Sequence, residues 1–438
     1  MFSGVSGLRA HQTKMDVIGN NVANVNTVGF KSGRVTFQEV FSQTLQGAGA
    51  PDATTGRGGT NPMQIGLGVG VGSVDTLMTG GSTERTDNPT DLSISGEGFF
   101  IVKGTKADTF KFTRAGNFGI DKLGNLVSGA GMNVYGWQEY SRDPKTGAVA
   151  FDTEKEIQPI NLYNDSVNGN KRIIGAKATT SAVFSGNLNS TLPTGAADPQ
   201  FTVPYTVYDS LGNSHQLKLE FTRKDANTWD YKVTANDRVQ DASGAEVFGL
   251  SGILPTDGTV AFTTDGKIST VTPSPATFAI TPDAKYGSEV FNVTADFSNL
   301  TMFAADCSVK PTNVNGYSTG NLVTFSVGSD GILTGVYSNG QQQPLGLIAL
   351  AGFDNAAGLE KVGENLYIPT TNSGDFTKGQ KVGSQGVGKI NPGTLEMSNV
   401  DLSREFTDMI TTQRGFQANS RIITTSDEML QELVNLKR

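Results

Sequence analysis

In Leu402-Ser403-Arg404-Glu405-Phe406-Thr407-Asp408-Met409-Ile410-Thr411-Thr412-Gln413-Arg414-Gly415-Phe416 the spacing of Leu402, Phe406, Met409 and Phe416 is helical. It continues through Ser420, Ile423, Asp427, Leu430 and Val434 in alternating steps of four and three, with Gln413 in the same series. This is heptad spacing, and it predicts one long helix with its apolar side chains on a single seam. Asn399 and Asp401 are candidate N-caps, Glu405 lies in the positive first turn, and Lys437 with Arg438 complement the negative C-terminal end. At 1.5 Å per residue such a helix is about 50 Å long.

The opposite end of the chain carries a shorter version of the pattern. Leu8, Met15, Ile18, Val22 and Val25 follow one another in steps of seven, three, four and three. Asn20, Asn21, Asn24, Asn26 and Gly29 then supply residues that tolerate the left-handed backbone ending a helix, so a first helix is predicted over about 3–25. Neither helix has a helical neighbour in sequence, so the two pair with each other or with copies. A buried seam residue contributes roughly 1.5–3 kcal/mol. Gln413, Ser420 and Asp427 interrupt the seam, as polar positions that specify register and partner do. A helical hairpin closed within one chain and a seam offered to other copies are both compatible with this pattern.

Between the helices the reading is β. Ile65, Leu67, Val69 and Val71 alternate with glycines, one apolar face of a strand whose other face admits a close neighbour. Phe201, Val203, Tyr205 and Val207 alternate, Asp209-Ser210-Leu211-Gly212-Asn213 turns, and His215, Leu217, Leu219 and Phe221 alternate again before Trp229, Tyr231 and Val233. Three strands joined by short turns make a meander, a unit of sandwiches and small barrels. The Gly-, Thr- and Asn-rich stretch 47–63 reads as an extended arm, and a composition shift near Asp143-Pro144-Lys145-Thr146-Gly147 marks an insertion that returns near Asn313.

Composition removes most catalytic and nucleic-acid classes. A chain of 438 residues is expected to hold roughly two to four domains. Only 36% is hydrophobic and 54 residues are glycine, a composition suited to many short strands and turns. The formal charge of −8, without a basic stripe, argues against nucleic acid, whose phosphates need clustered Lys and Arg. Cys307 is the one cysteine, which excludes an internal disulfide or a thiolate cluster, and His11 and His215 are the two histidines, too few for a His-rich metal site. No cofactor is expected. The N-terminus lacks a basic segment followed by an apolar run, so no cleaved signal peptide is predicted, and no stretch reaches the ~20 apolar residues of a membrane span.

Two motifs imitate catalytic signatures. Gly316-Tyr317-Ser318-Thr319-Gly320 matches G-x-S-x-G, but strand-like Leu322-Val323-Thr324-Phe325 follows where a nucleophile elbow needs a helix. Gly66, Gly68, Gly70 and Gly72 have the wrong spacing for a dinucleotide loop and read as a glycine-laced strand. His11 falls on the first helix as a seam or surface residue, and Cys307 reads as a small buried hydrophobe.

Several stretches resemble the bacterial flagellar rod and hook family. The first is Asp16-Val17-Ile18-Gly19-Asn20-Asn21-Val22-Ala23-Asn24-Val25-Asn26-Thr27-Val28-Gly29-Phe30-Lys31, similar to its N-terminal signature. Ser398-Asn399-Val400-Asp401-Leu402, Gln413-Arg414-Gly415-Phe416-Gln417-Ala418-Asn419-Ser420 and Thr425-Ser426-Asp427-Glu428-Met429-Leu430 resemble the closing signature, in which tyrosine often stands where Phe416 does. Thr90-Asp91-Leu92-Ser93-Ile94-Ser95-Gly96-Glu97-Gly98-Phe99-Phe100 and Phe112-Thr113-Arg114-Ala115-Gly116-Asn117-Phe118 look like the shared core β-domain, and Val207 to His215 is similar to a hook-type outer domain.

The resemblance implies a mixed, mainly β fold, with terminal helices forming a coiled-coil-like inner domain and two or more β-sandwich- or barrel-like domains. The expected divisions are an inner helical domain (1–30 and 395–438), an extended arm (31–72), a core β-domain (73–145 and 313–394) and an outer inserted β-domain (146–312). It further implies a structural, non-catalytic subunit of the flagellar hook that polymerises into a flexible curved tube carrying torque from rod to filament. The alternative is a distal rod subunit, expected to be considerably shorter. The assembly seam is then Leu8, Met15, Ile18, Val22, Val25, Leu402, Phe406, Met409, Phe416, Ile423, Leu430 and Val434. Implied partners are further copies, the distal rod, the hook cap, the hook–filament junction proteins and the type III export apparatus, with no nucleic acid and no membrane insertion. The implied location is outside the cell, in the flagellum.

Overall fold

The computed structural model describes residues 2–51, 56, 58–105, 107–142, 149–165, 169–236, 238–240, 246–248 and 250–436. Among them are two α-helices, Phe2–Ala23 (α1) and Leu402–Leu436 (α2), which bracket a long succession of strands. Asp401 caps α2: its Oδ1 accepts from the Ser403 and Arg404 amides at 3.0 and 3.4 Å. Asn399 does not cap. Its Oδ1 instead accepts from Ser32 N at 2.8 Å and its amide donates to Leu77 O at 2.9 Å, stitching the chain before α2 to the segment after α1. Lys437 and Arg438 lie outside the described residues. Near the end of α1 the Asn24 amide donates back to the Asn20 carbonyl at 2.9 Å, and Gly29 takes φ +68°, which releases the chain into the β region.

The chain divides into two compact units, 1–170 with 325–334 and 344–438, and 171–324 with 335–343. In the first, Phe99–Lys103 pairs with Lys111–Thr113 on one side and Asn133–Trp137 on the other, and Leu366–Ile368 and Glu360–Gly363 extend the sheet beyond Lys111–Thr113. Gln342–Ala351 pairs with both Asn133–Trp137 and Phe99–Lys103. Leu345, Leu347, Ile348, Ala349, Leu350 and Ala351 are all buried, the uninterrupted apolar run of a strand covered on both faces. Phe99, Ile101, Phe112, Trp137, Leu347 and Tyr367 form the core here.

The divisions read from the sequence, 73–145 with 313–394 and an insertion at 146–312, differ from these units at both ends of the insertion. The turn-rich residues near 143–147 are flanked by strands that pair with each other, Tyr140 with Phe151 and Arg142 with Val149. Beyond them Gln158–Pro159 pairs with Asn133–Trp137, and Ile160 and Leu162 are fully buried. The Pro, Gly and Lys cluster itself lies outside the described residues, and the strands on either side of it both belong to the first unit. The return comes later than Asn313, because Ile173–Ile174 pairs with Asn321 and Gly320 inside the second unit.

Two five-stranded sheets enclose the core of the second unit. One sheet runs Phe201–Tyr208, Ser214–Asp225, Thr228–Ala235, Asp257–Phe262 and Ile268–Thr272, and the first three are the meander read from the sequence, with Phe201 opposite Phe221 and Phe221 opposite Tyr231. The other places Ser181–Asn189 parallel to Phe291–Phe303, which an antiparallel neighbour, Ala276–Pro282, flanks. Trp229, Tyr231, Phe184, Phe221, Phe278 and Phe297, drawn from both sheets, make up its centre. The Asp209 turn closes the first hairpin: its carboxylate accepts from Leu211 N, Asn213 N and the Asn213 amide at 3.0, 2.8 and 2.8 Å. His215 is buried, with Nε2 3.5 Å from Asp209 Oδ2, and belongs to this turn.

Because this unit owns its core, limited proteolysis of the unassembled chain is expected to trim both terminal helices first and leave a β-rich fragment containing 171–343. Digestion of this unit before the termini, read by mass spectrometry, would contradict the expectation.

Candidate assembly interface

α1 and α2 pair antiparallel within the chain. Lys14 Nζ lies 3.4 Å from Asp408 Oδ1, and Asn21 Nδ2 donates to Glu405 Oε1 at 3.2 Å. Toward the other end, a Cβ added to Gly415 would come within 2.8 Å of His11 Nε2, one added to Gly7 within 2.7 Å of Asn419 Nδ2, and one added to Gly4 within 3.5 Å of Asn419 O. Glycine inside a helix costs up to about 1 kcal/mol relative to alanine, and here it permits the close approach. The buried residues of α1 are accordingly Gly4, Gly7, Ala10, Ile18 and Asn21, and the one buried in α2 is Thr412. Burial pushes the Glu405 carboxyl above its ordinary range, and burial with the nearby Lys14 charge lowers His11.

Asn21 joins three elements. Besides Glu405 it bonds Gly33 twice, Nδ2 to the carbonyl at 2.8 Å and Oδ1 from the amide at 2.9 Å, at the root of an extended ribbon. The ribbon pairs Gly33–Glu39 with Val69–Thr76 and Ser42–Gln46 with Met63–Gly66. It touches α1 through the His11 and Phe37 rings, 5.6 Å apart, and through Ser6 Oγ, which accepts from Val69 N at 3.3 Å. Gly66, Gly70 and Gly72 lie in its strands, with Gly68 between them at φ +132°.

The apolar residues singled out from the heptads are only partly covered in the single chain. Ile18 is buried, while Leu8, Met15, Val22, Val25, Met409, Phe416 and Ile423 are half-buried. Leu402, Phe406, Leu430 and Val434 are exposed, Val434 at 68%. Phe2, Ile410, Ile422, Met429, Leu433 and Leu436 join them at the surface. The line of close approach in the pair, Gly4, Gly7, Gly415 and Asn419, was not singled out from the sequence. Its signal was available in the spacing of Gly4, Gly7 and Ala10 at every third residue.

The catalytic look-alikes find no site. Tyr317 bridges to Lys177 and a strand, Gly320–Val327, follows Ser318. Among the described residues no group of three or more His, Cys, Asp or Glu side chains is placed to hold a metal ion. Cys307 is half-buried against the core of the second unit, its Sγ accepting from Asn189 N at 3.3 Å. No helix among the described residues is long and apolar enough to cross a membrane.

Four family profiles match. They are a flagellar basal body rod protein profile at 1–31, a flagellar hook protein FlgE/F/G D1 domain at 93–168, a flagellar basal body protein FlaE D2 domain at 179–317, and a flagellar basal body rod FlgEFG C-terminal profile at 391–436. The chain is 41% identical to the flagellar hook protein FlgE of Borreliella burgdorferi, with 100% of this chain and 99% of that protein aligned. It is 36% identical to the FlgE of Salmonella typhimurium over 99% of this chain and 98% of that protein. A flagellar basal-body rod protein FlgG of Bacillus subtilis is 31% identical over 100% of this chain and 98% of its own length, so length does not separate hook from rod as the sequence reading supposed. With hook proteins aligned end to end at these identities, the chain belongs to the flagellar hook protein family.

Proposed function

We propose that this chain is a structural subunit of the bacterial flagellar hook, without catalytic activity, which polymerises outside the cell into a flexible curved tube that passes torque from rod to filament. The observation that carries the assembly mode is the apolar surface left on α2: α1 meets α2 through glycines, polar groups, Ile422 and Ile423, and leaves Phe406, Met429, Leu430, Leu433 and Val434 exposed. Covering each contributes roughly 1.5–3 kcal/mol. That total is comparable with the ~4–15 kcal/mol cost of bringing two copies together, so one helix contact gives no lasting dimer, whereas several neighbours in a lattice do. In this reading the helices, from about 1–30 and 395–438, form a coiled-coil-like inner layer. The β units form outer layers with Thr-, Asn- and Gly-rich contacts that shift as the tube bends, because no dry apolar core has to open. The subunit leaves the cell through the flagellar type III apparatus and meets the rod, the hook cap and the hook–filament junction proteins.

Electron microscopy of the purified chain under polymerising conditions tests this. Curved tubes are the expected product. Straight, rigid rods would favour a distal rod subunit, the reading to which the full-length match with a rod protein lends some weight.

A further inference from the structure

Three segments far apart in sequence meet at one buried carboxylate. Lys31 Nζ lies 2.6 Å from Glu396 Oε1 and Arg114 Nη1 lies 3.3 Å from Glu396 Oε2, with the three side chains 1%, 5% and 2% exposed for Lys31, Arg114 and Glu396. The remaining partners are backbone. Lys31 Nζ donates to Thr79 O at 2.8 Å, Gly81 N donates to Glu396 Oε1 at 3.1 Å, and Arg114 Nη2 donates to Gly96 O at 2.8 Å. The Arg114 guanidinium stacks 5.2 Å over the Phe99 ring, and its Nε has no hydrogen-bond partner among the described residues. Lys361 adds a third cation at the rim, its Nζ donating to Lys31 O at 2.9 Å and lying over Phe30.

The backbone is threaded as tightly as the side chains. Gly29 N donates to Glu396 O at 2.7 Å, and a Cβ at Gly29 would lie 2.6 Å from Ala115 N. Residues 29–32 are buried, and they lead directly from α1, just as Glu396 stands six residues before α2 begins.

The charge balance at this point is uneven: two buried cations share one anion. Without Glu396, Lys31 and Arg114 would be two unpaired like charges in a site shielded from water, a far costlier state than the triad. We propose that Glu396 is a two-ended latch, so that the chain leading from α1 and the chain leading into α2 are gripped by the β-domain together or not at all. Neither helix then docks alone, and force on either reaches the β-domain through the same carboxylate. This use of the latch rests on the assembly reading above; the latch itself does not.

Hydrogen exchange of the full-length, unassembled chain tests it. Glu396→Gln is expected to speed exchange in 28–33 and 394–400 alike, by on the order of 10²-fold, the factor that follows from leaving a buried partner unpaired. Lys31→Met leaves Glu396 balanced by Arg114 and should disturb 394–400 far less. Adding Lys31→Met to Glu396→Gln should restore part of the protection at 394–400, since one unpaired cation is gone, and if Glu396→Gln fails to fold, the double variant should fold better than it. The latch is overturned if Glu396→Gln loosens 394–400 while 28–33 keeps its protection, or if the double variant is worse than Glu396→Gln alone. Sedimentation of a Phe416→Asp chain judges the assembly reading separately, because Phe416 lies on α2 outside the latch.

Discussion

Phe416→Asp abolishes polymerisation and leaves the unfolding of the β units almost where it was. Phe416 is half-buried on α2, beside Gly415 at the point where that helix meets His11. A carboxylate there would have to be desolvated, unpaired, each time a neighbouring copy closed on the seam, which costs several kcal/mol per subunit. A lattice repeats that cost at every contact, so the critical concentration is expected to rise beyond reach. Leu430→Asp should act the same way from a position that is 51% exposed. The cores of the β units, around Phe112 and Trp137 in one and Trp229 and Tyr231 in the other, contain neither residue, and distant sites are close to additive. Sedimentation reads the first effect and thermal melting the second. Loss of both together would mean that α1 and α2 serve chiefly to stabilise the single chain.

The circular dichroism helical signal rises on assembly by several tens of residues, up to the 22 of α1 and the 35 of α2. The reasoning is a comparison of magnitudes. Ordering a residue costs about 1–2 kcal/mol of backbone entropy. Against this α2 buries one residue within the chain, Thr412, and its final turns carry Met429, Leu430, Leu433, Val434 and Leu436 uncovered. The glycine-lined pairing with α1 supplies contact but little apolar area. Neighbouring copies have to provide the rest, and helices that order late also keep an exported chain from polymerising early. An unchanged helical signal, with the α2 amides already protected from exchange in the unassembled chain, would sink the idea.

Both helices were legible in the sequence because a 3.5-residue apolar repeat has no other simple explanation over that length. The three-strand meander from Phe201 to Ala235 was legible for a similar reason: period-two alternation of large residues, punctuated by Asp209 to Asn213, allows one register with every large side chain inward. The placing of the insertion boundary was less legible. Turn-forming residue types near 143–147 read alike in the sequence whether a domain boundary or two paired strands of one domain lie on either side of them, and Tyr140–Arg142 and Val149–Phe151 do pair.

The amino-acid sequence by itself thus determined the terminal helices, the mainly β character of the chain between them, and the resemblance that led to a flagellar reading. Those features depend on local periodicity and on short motifs, which are written along the chain. Only the tertiary structure decided which face of each helix is used within the chain. A seam of leucines and a line of glycines are both possible contacts, and the choice falls to the glycines because only there can the backbones come close enough for Asn419 and His11 to pack against them. Nor could the sequence reveal that Lys31, Arg114 and Glu396 share one site. They are scattered along most of the chain, and a buried charge is recognisable only once the fold has removed the water around it and brought its partners within reach.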